Sequence, residues 1–223
     1  MKNLLLIGTV ALLITSNVAK AEDWQPSCNS KYSNPNPGTY IFKVKKGEVG
    51  GCKSDKIKQQ HMSTGWDWSE RSEVLSDRTK KAHRNKTKDK FGKYEWSATI
   101  DIDRKCKPAE RNTLFQVHAG GYLVSPPSWI GLNRYNKFRT NESTGGTNVY
   151  VPNEPFKLTA KINATKKEVT VDYFINDKFL ISTHSFATGN GYKKMFFKFG
   201  IYRVNANCDI TQTYNNVQLK RVK

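Results

Sequence analysis

The chain has 223 residues, with 37 Lys and Arg against 19 Asp and Glu, and a formal charge of +18. A cationic excess of that size points to a polyanionic partner or to a device for solubility. No stretch approaches the roughly 20 apolar residues that a membrane-crossing helix needs, and no CxxC spacing occurs while His61, His83, His118 and His184 are scattered, which excludes a readable zinc site.

Residues 1–21 read as a secretory signal peptide. Lys2 supplies the positive start, the apolar stretch from Leu4 to Ile14 is broken by Gly8 and Thr9, and Ala19-Lys20-Ala21 is a small-x-small cleavage site. Cleavage there removes Lys2 and Lys20 and no acid, so the excess stays strongly positive. Residues 22–223 then form one domain, long enough to bury a real core. The expectation is a secreted or periplasmic monomer with no membrane association. Export favours an acidic polysaccharide over nucleic acid as the partner. The chain retains Cys28, Cys52, Cys106 and Cys208. An even count in an exported chain reads as two disulfides. Of the three connectivities, a local clip Cys28–Cys52 and a long-range Cys106–Cys208 bridge are expected.

No amphipathic helix is readable beyond the leader. Short β-rich runs are predicted at 38–44, 71–74, 94–102, 113–119, 128–133, 156–163, 168–175, 178–183, 195–203 and 211–222. Asn176-Asp177 marks a two-residue hairpin between two of them. Turn residues punctuate the rest, and the pattern is that of an all-β sandwich or jelly roll. Segments 77–92, rich in Lys and Arg, and 136–148 read as long loops, the kind that act as binding lids.

Three of the runs carry chemistry. Residues two apart share a face of a strand. In Arg71-Ser72-Glu73-Val74, Arg71 and Glu73 oppose Ser72 and Val74. In Phe115-Gln116-Val117-His118, Gln116 and His118 oppose Phe115 and Val117. In Phe197-Lys198-Phe199-Gly200-Ile201-Tyr202, Lys198 and Tyr202 share a face across Gly200, with Phe197, Phe199 and Ile201 behind. A glycoside hydrolase needs two carboxylates at the scissile bond, and Glu73 alone does not supply them; its expected role is to hold Arg71 by an ion pair. An arginine, an amide, an imidazole and a phenol suit β-elimination from a uronic acid. Positive charge and hydrogen bonds neutralise the sugar carboxylate, a base takes the C5 proton, and an acid protonates the departing O4. No cofactor and no metal is expected.

The order Arg-Ser-Glu, Gln-Val-His and Phe-Lys-x-Gly-x-Tyr resembles the jelly-roll polysaccharide lyases over roughly residues 38–222. Alginate lyases of this group carry an Arg-Ser/Thr-Glu-Leu-Arg strand, a Gln-Ile/Val-His strand and a Tyr-Phe-Lys-x-Gly-x-Tyr strand. The resemblance implies a concanavalin A-like β-jelly roll with a concave substrate groove, and cleavage of a uronic-acid polymer. It assigns carboxylate neutralisation to Arg71 and Gln116. His118 would assist or act as base, and Tyr202 would be the acid, or both acid and base. Lys198, Arg203, Glu73 and Arg134 are the expected substrate-binding residues. Leu75 stands where the alginate lyases have their second arginine, and Arg203-Val204 follows Tyr202, which brings the segment 197–203 nearer to the glucuronan and heparin-lyase relatives. A second reading keeps the fold without the chemistry: a non-catalytic domain binding an anionic glycan. In it, Trp66, Trp68, Trp96, Trp129 and Tyr135 are sugar-stacking platforms, or else core. A third, an exported polyanion-binding or nuclease-like protein, lacks acidic metal ligands at readable spacing.

Overall fold

Alternating polar and apolar residues give strands with one buried face, and such strands pair into sheets that pack face to face. The structure, a computed structural model, describes residues 24–28, 30–48, 69–76, 91–103, 105–106, 111–119, 126–142, 146–192, 195–204 and 208–222. The expected signal peptide, Cys52, Trp66, Trp68 and most of the basic segment 77–92 lie outside the described residues. The described strands are β1 (Gln25–Pro26), β2 (Tyr32–Ser33), β3 (Tyr40–Val44), β4 (Ser69–Leu75), β5 (Gly92–Ile102), β6 (Arg111–His118), β7 (Ser128–Asn133), β8 (Phe138–Thr140), β9 (Phe156–Ala164), β10 (Glu168–Ile175), β11 (Lys178–Phe186), β12 (Phe196–Val204) and β13 (Ile210–Val222). Among these residues there is no helix.

Two antiparallel sheets form a jelly roll. One has the order β1-β4-β12-β6-β7-β8 and the other β11-β10-β9-β5-β13-β3-β2. Every named pairing is antiparallel. Neighbours in the sheets lie far apart in the chain, since β12 sits between β4 and β6. The three strands singled out by their chemistry are therefore adjacent.

The core between the sheets is aromatic. Phe199 is met edge-on by Trp24 at 4.7 Å and by Tyr40 at 5.2 Å, and Trp96 stacks on Phe115 at 4.2 Å. Offset and edge-on contacts of this kind add to the burial of apolar area. Trp96 is thus a core residue, fully buried. Asn176 and Asp177 both adopt positive φ, 49° and 62°, as a two-residue hairpin between β10 and β11 requires. Cys106 and Cys208 are bridged, joining positions 102 residues apart. The companion clip Cys28–Cys52 involves a residue outside the described ones.

Segment 136–148 is not a continuous loop. Phe138–Thr140 pairs with β7 as the edge strand β8, and Phe138 is fully buried against Phe156 at 5.5 Å. A three-residue strand is too short to alternate visibly, so its one core side chain gave no periodic signal. The two-residue strands β1 and β2 escaped for the same reason.

The core also fixes the irregular centre of the six-stranded sheet. Pairing of β12 with β6 shifts register between Phe199 and Tyr202, and pairing of β6 with β7 shifts between Thr113 and Phe115. Carbonyls at such breaks lose ladder partners. Tyr214, reaching from β13 in the opposite sheet, places its hydroxyl 2.9 Å from the Gly200 carbonyl and 3.1 Å from that of Leu114. Burial pushes the Tyr214 phenol well above its ordinary pKa, so it stays a donor. Tyr214→Phe is expected to lower stability by about 1–3 kcal/mol, because buried acceptors lose their donor. Urea unfolding checks this as a lower midpoint at unchanged slope.

Candidate active site on the six-stranded sheet

The site is built on β4, β12 and β6. Their register sets Arg71 opposite Tyr202, Glu73 opposite Gly200, and Lys198 between Leu75 and Gln116. Phe115, Val117, Phe197, Phe199 and Ile201 fill the core behind them. Arg71, Glu73, Gln116, His118, Lys198 and Tyr202 therefore share the opposite face.

Glu73 organises this face. Its side chain is 1% exposed and ion-paired to Arg71, with Nη1 3.1 Å from Oε2. Lys198 Nζ lies 4.0 Å from the same oxygen. The Gln116 amide donates to Oε1 through Nε2. A carboxylate accepts only, so this contact fixes which way the amide points. Gln116 Oε1 then faces His118 Nε2 at 3.1 Å. Because that oxygen can only accept, Nε2 of His118 carries the proton, and in the neutral ring Nδ1 holds the lone pair. The imidazole lies flat on Phe196, 4.8 Å between centroids at 10°.

Tyr202 sits among cations. The Arg71 guanidinium lies 4.1 Å from its ring centroid and that of Arg111 5.1 Å away. Arg111 Nη2 is 3.4 Å from the phenol oxygen. These are cation–π distances, and they put positive charge where a phenolate would need it.

Gly200 permits the close approach of β12 and β4. Its φ is +131°, and a Cβ there would come within 2.8 Å of Glu73 Cα and press on the Ser72 carbonyl. Only glycine adopts this backbone without strain, so Lys198 and Tyr202 keep their common face across it.

Two expected substrate-binding residues are not brought to this face. Arg203 follows Tyr202 and so points into the core. It is fully buried, and its Nε donates to Glu70, also fully buried. Arg134 lies in the turn after β7, exposed, with its guanidinium 4.9 Å from the Tyr135 ring centroid.

Three residues of the face were not singled out from the sequence as a set: Arg111, Trp129 and Arg139. Trp129 pairs with Gln116 across β7, and Arg139 pairs with Gly131 from β8. The guanidinium groups of Arg111 and Arg139 lie 5.3 Å and 5.9 Å from the Trp129 ring centroid. Arg111 is five residues from Gln116, so strict alternation puts them on opposite faces. The register break inverts that: Leu114 and Phe115 are both fully buried, and the strand changes parity between Thr113 and Gln116. Two consecutive apolar residues inside an alternating strand were the available sign of a bulge.

No protein-family model matches the chain, and no curated protein matches it either. Solved structures do match in fold. An alginate lyase from polysaccharide lyase family 7 aligns over 87% of this chain and 84% of its own, at 13% identity and a TM-score of 0.55. An alginate lyase from Alteromonas sp. 272 aligns over 91% of this chain and 96% of its own, at 12% identity and a TM-score of 0.51. A sialidase aligns over 90% of this chain but only 17% of its own, at 9% identity and a TM-score of 0.52. At such identities the likeness is one of fold. The two alginate lyases align over most of their own length, the sialidase over a small part of its own.

Proposed function

We propose that this protein is a secreted polysaccharide lyase that cleaves a uronic-acid-containing polymer by β-elimination. The observation that carries the reading is the gathering of Arg71, Gln116, His118, Lys198 and Tyr202 around the buried Glu73 on one face of adjacent strands. Two alginate lyases of matching length share the fold. The bridge between Cys106 and Cys208 suits an oxidising compartment.

In this reading the uronate carboxylate meets Arg71 and the second amide proton of Gln116. Together they offset its charge and stabilise the aci-carboxylate that forms when C5 loses its proton. The base is His118 or Tyr202, according to the configuration at C5. The electron pair of the C5–H bond becomes the C4–C5 double bond, the C4–O4 bond breaks, and Tyr202 delivers a proton to O4. Glu73 does not touch the sugar. It spaces the amide and the two cations, and as a single carboxylate it does not supply the pair that hydrolysis needs. Arg111 provides a second guanidinium at the Tyr202 end of the face, while position 75, at the Lys198 end, is a leucine.

The test is direct. Incubated with alginate, polyglucuronate and heparin-type chains without added metal, the protein is expected to raise ultraviolet absorbance as unsaturated ends form on at least one of them. Affinity for that polymer is expected to fall as salt rises, because exposed charges are screened. Binding without any absorbance change would replace the lyase by a glycan-binding domain.

A further inference from the structure

On the other side of β6 from the candidate active site lies a cavity of about 370 Å³. Ile102, Asp103, Asn112 and Leu132 line it together with Tyr135 and Tyr150. Asn112 faces the core side of β6, paired with Arg203 on one side and Leu132 on the other. It is 1% exposed, and among the described residues neither its amide nitrogen nor its amide oxygen has a hydrogen-bond partner. An unmet buried amide costs about 1–3 kcal/mol. Among the described residues, other buried polar atoms without partners include the Nε atoms of Arg111 and Arg139 and atoms of Trp96, Thr159 and Gln212, but none of those residues lines this cavity.

The mouth is held in place. A bridge joins Lys137 to Tyr150, and the Val151 amide donates to the Asn136 carbonyl at 2.9 Å. Tyr135 and Tyr150 line the cavity with rings that are 60% and 62% exposed. Arg134 lies 4.9 Å from the Tyr135 centroid, and Lys137 Nζ 4.8 Å from that of Tyr150. An apolar floor, aromatic rims and a few convergent amides and a carboxylate are the makings of a small-molecule site. An asparagine amide both donates and accepts, as do neighbouring hydroxyls on a sugar ring, and the apolar C–H face of that ring packs on tyrosine.

We propose that this cavity is a second carbohydrate-binding site, which takes one pyranose unit with Asn112 at its base and Tyr135 and Tyr150 at its rim. It is separate from the face that carries Tyr202 and does not depend on lyase activity. Arg134 stands beside this rim, against the Tyr135 ring.

The experiment is a titration of the isotope-labelled full chain with methyl glucoside, methyl galactoside and methyl glucuronide, followed by amide NMR. At least one glycoside is expected to give saturable shifts in the Asn112 side-chain amide and in residues 135–136 and 150–151. Asn112→Ala is expected to weaken that affinity about tenfold, equivalent to about 1.4 kcal/mol. Tyr150→Ala, at an exposed position whose bridge to Lys137 is made by the backbone, is expected to weaken it as well, and Tyr202→Phe to leave it unchanged. The proposal is overturned if none of the three glycosides gives saturable shifts, if Tyr150→Ala leaves the affinity intact, or if the shifts gather at Gln116, His118 and Lys198 instead.

Discussion

Tyr202→Phe is expected to lower turnover on the cleaved polyuronate by about 10²–10⁴-fold, the range that a positioned acid or base contributes. The substitution removes one oxygen and keeps the ring. Arg71 retains its contact with the ring, 4.1 Å from the centroid. The hydroxyl's contact with Arg111 Nη2, 3.4 Å long, is lost. Tyr202 is half-buried, so the loss to stability is expected to stay within about 1 kcal/mol. A step that depends on proton delivery to O4 responds in kcat, whereas uniform binding responds in KM. Initial rates from product absorbance, set beside a thermal melt, separate the two. Turnover that survives in a folded Tyr202→Phe protein would remove the phenol from the chemistry and leave His118 to account for it.

Arg203→Met is expected to act on stability, by about 3–5 kcal/mol, because it strands a buried carboxylate. Arg203 and Glu70 are both fully buried and ion-paired. Burial pushes Glu70 up and Arg203 down from their ordinary pKa values, and the charge of each partner opposes the shift of the other. The guanidinium also approaches Cys106 Sγ at 3.0 Å and the Val44 and Lys45 carbonyls at 3.5 and 3.4 Å. Glu70 in turn accepts from the Gly47 amide at 2.6 Å. The pair thus ties the turn after β3 to β4 and to β12, the strand that carries Tyr202. Replacing both partners, as Glu70→Leu with Arg203→Met, is expected to recover much of the loss, since well-packed apolar groups of similar volume often match a buried pair. Denaturant unfolding of the single and double variants measures this. A folded Arg203→Met protein of unchanged stability with a raised KM would instead return Arg203 to the substrate.

Much of the site was legible because a strand has a period of two. Arg71 with Glu73, Gln116 with His118 and Lys198 with Tyr202 each follow from spacing within one strand, and Ser72, Val117, Phe199 and Ile201 between them are buried on the other face. Arg203 shows the limit of reading charge without parity. As the residue after Tyr202 it had to face inward, and its burial with Glu70 follows. Arg111 shows the opposite limit. Its parity was legible and misleading, because the register break at Leu114 and Phe115 moves it to the face of Gln116.

By itself, the sequence determined the all-β class, most of the strands, the hairpin at Asn176-Asp177 and the pairing of side chains within each strand. These are local matters, settled by alternation and by turn residues. Only the tertiary structure decided that β12 lies between β4 and β6, that Glu73 gathers groups from all three, that bulges bring in Arg111, and that Asn112 backs onto a cavity. Those depend on which distant strands pair and in what register. That choice is made by the packing of the whole core, which no single segment encodes.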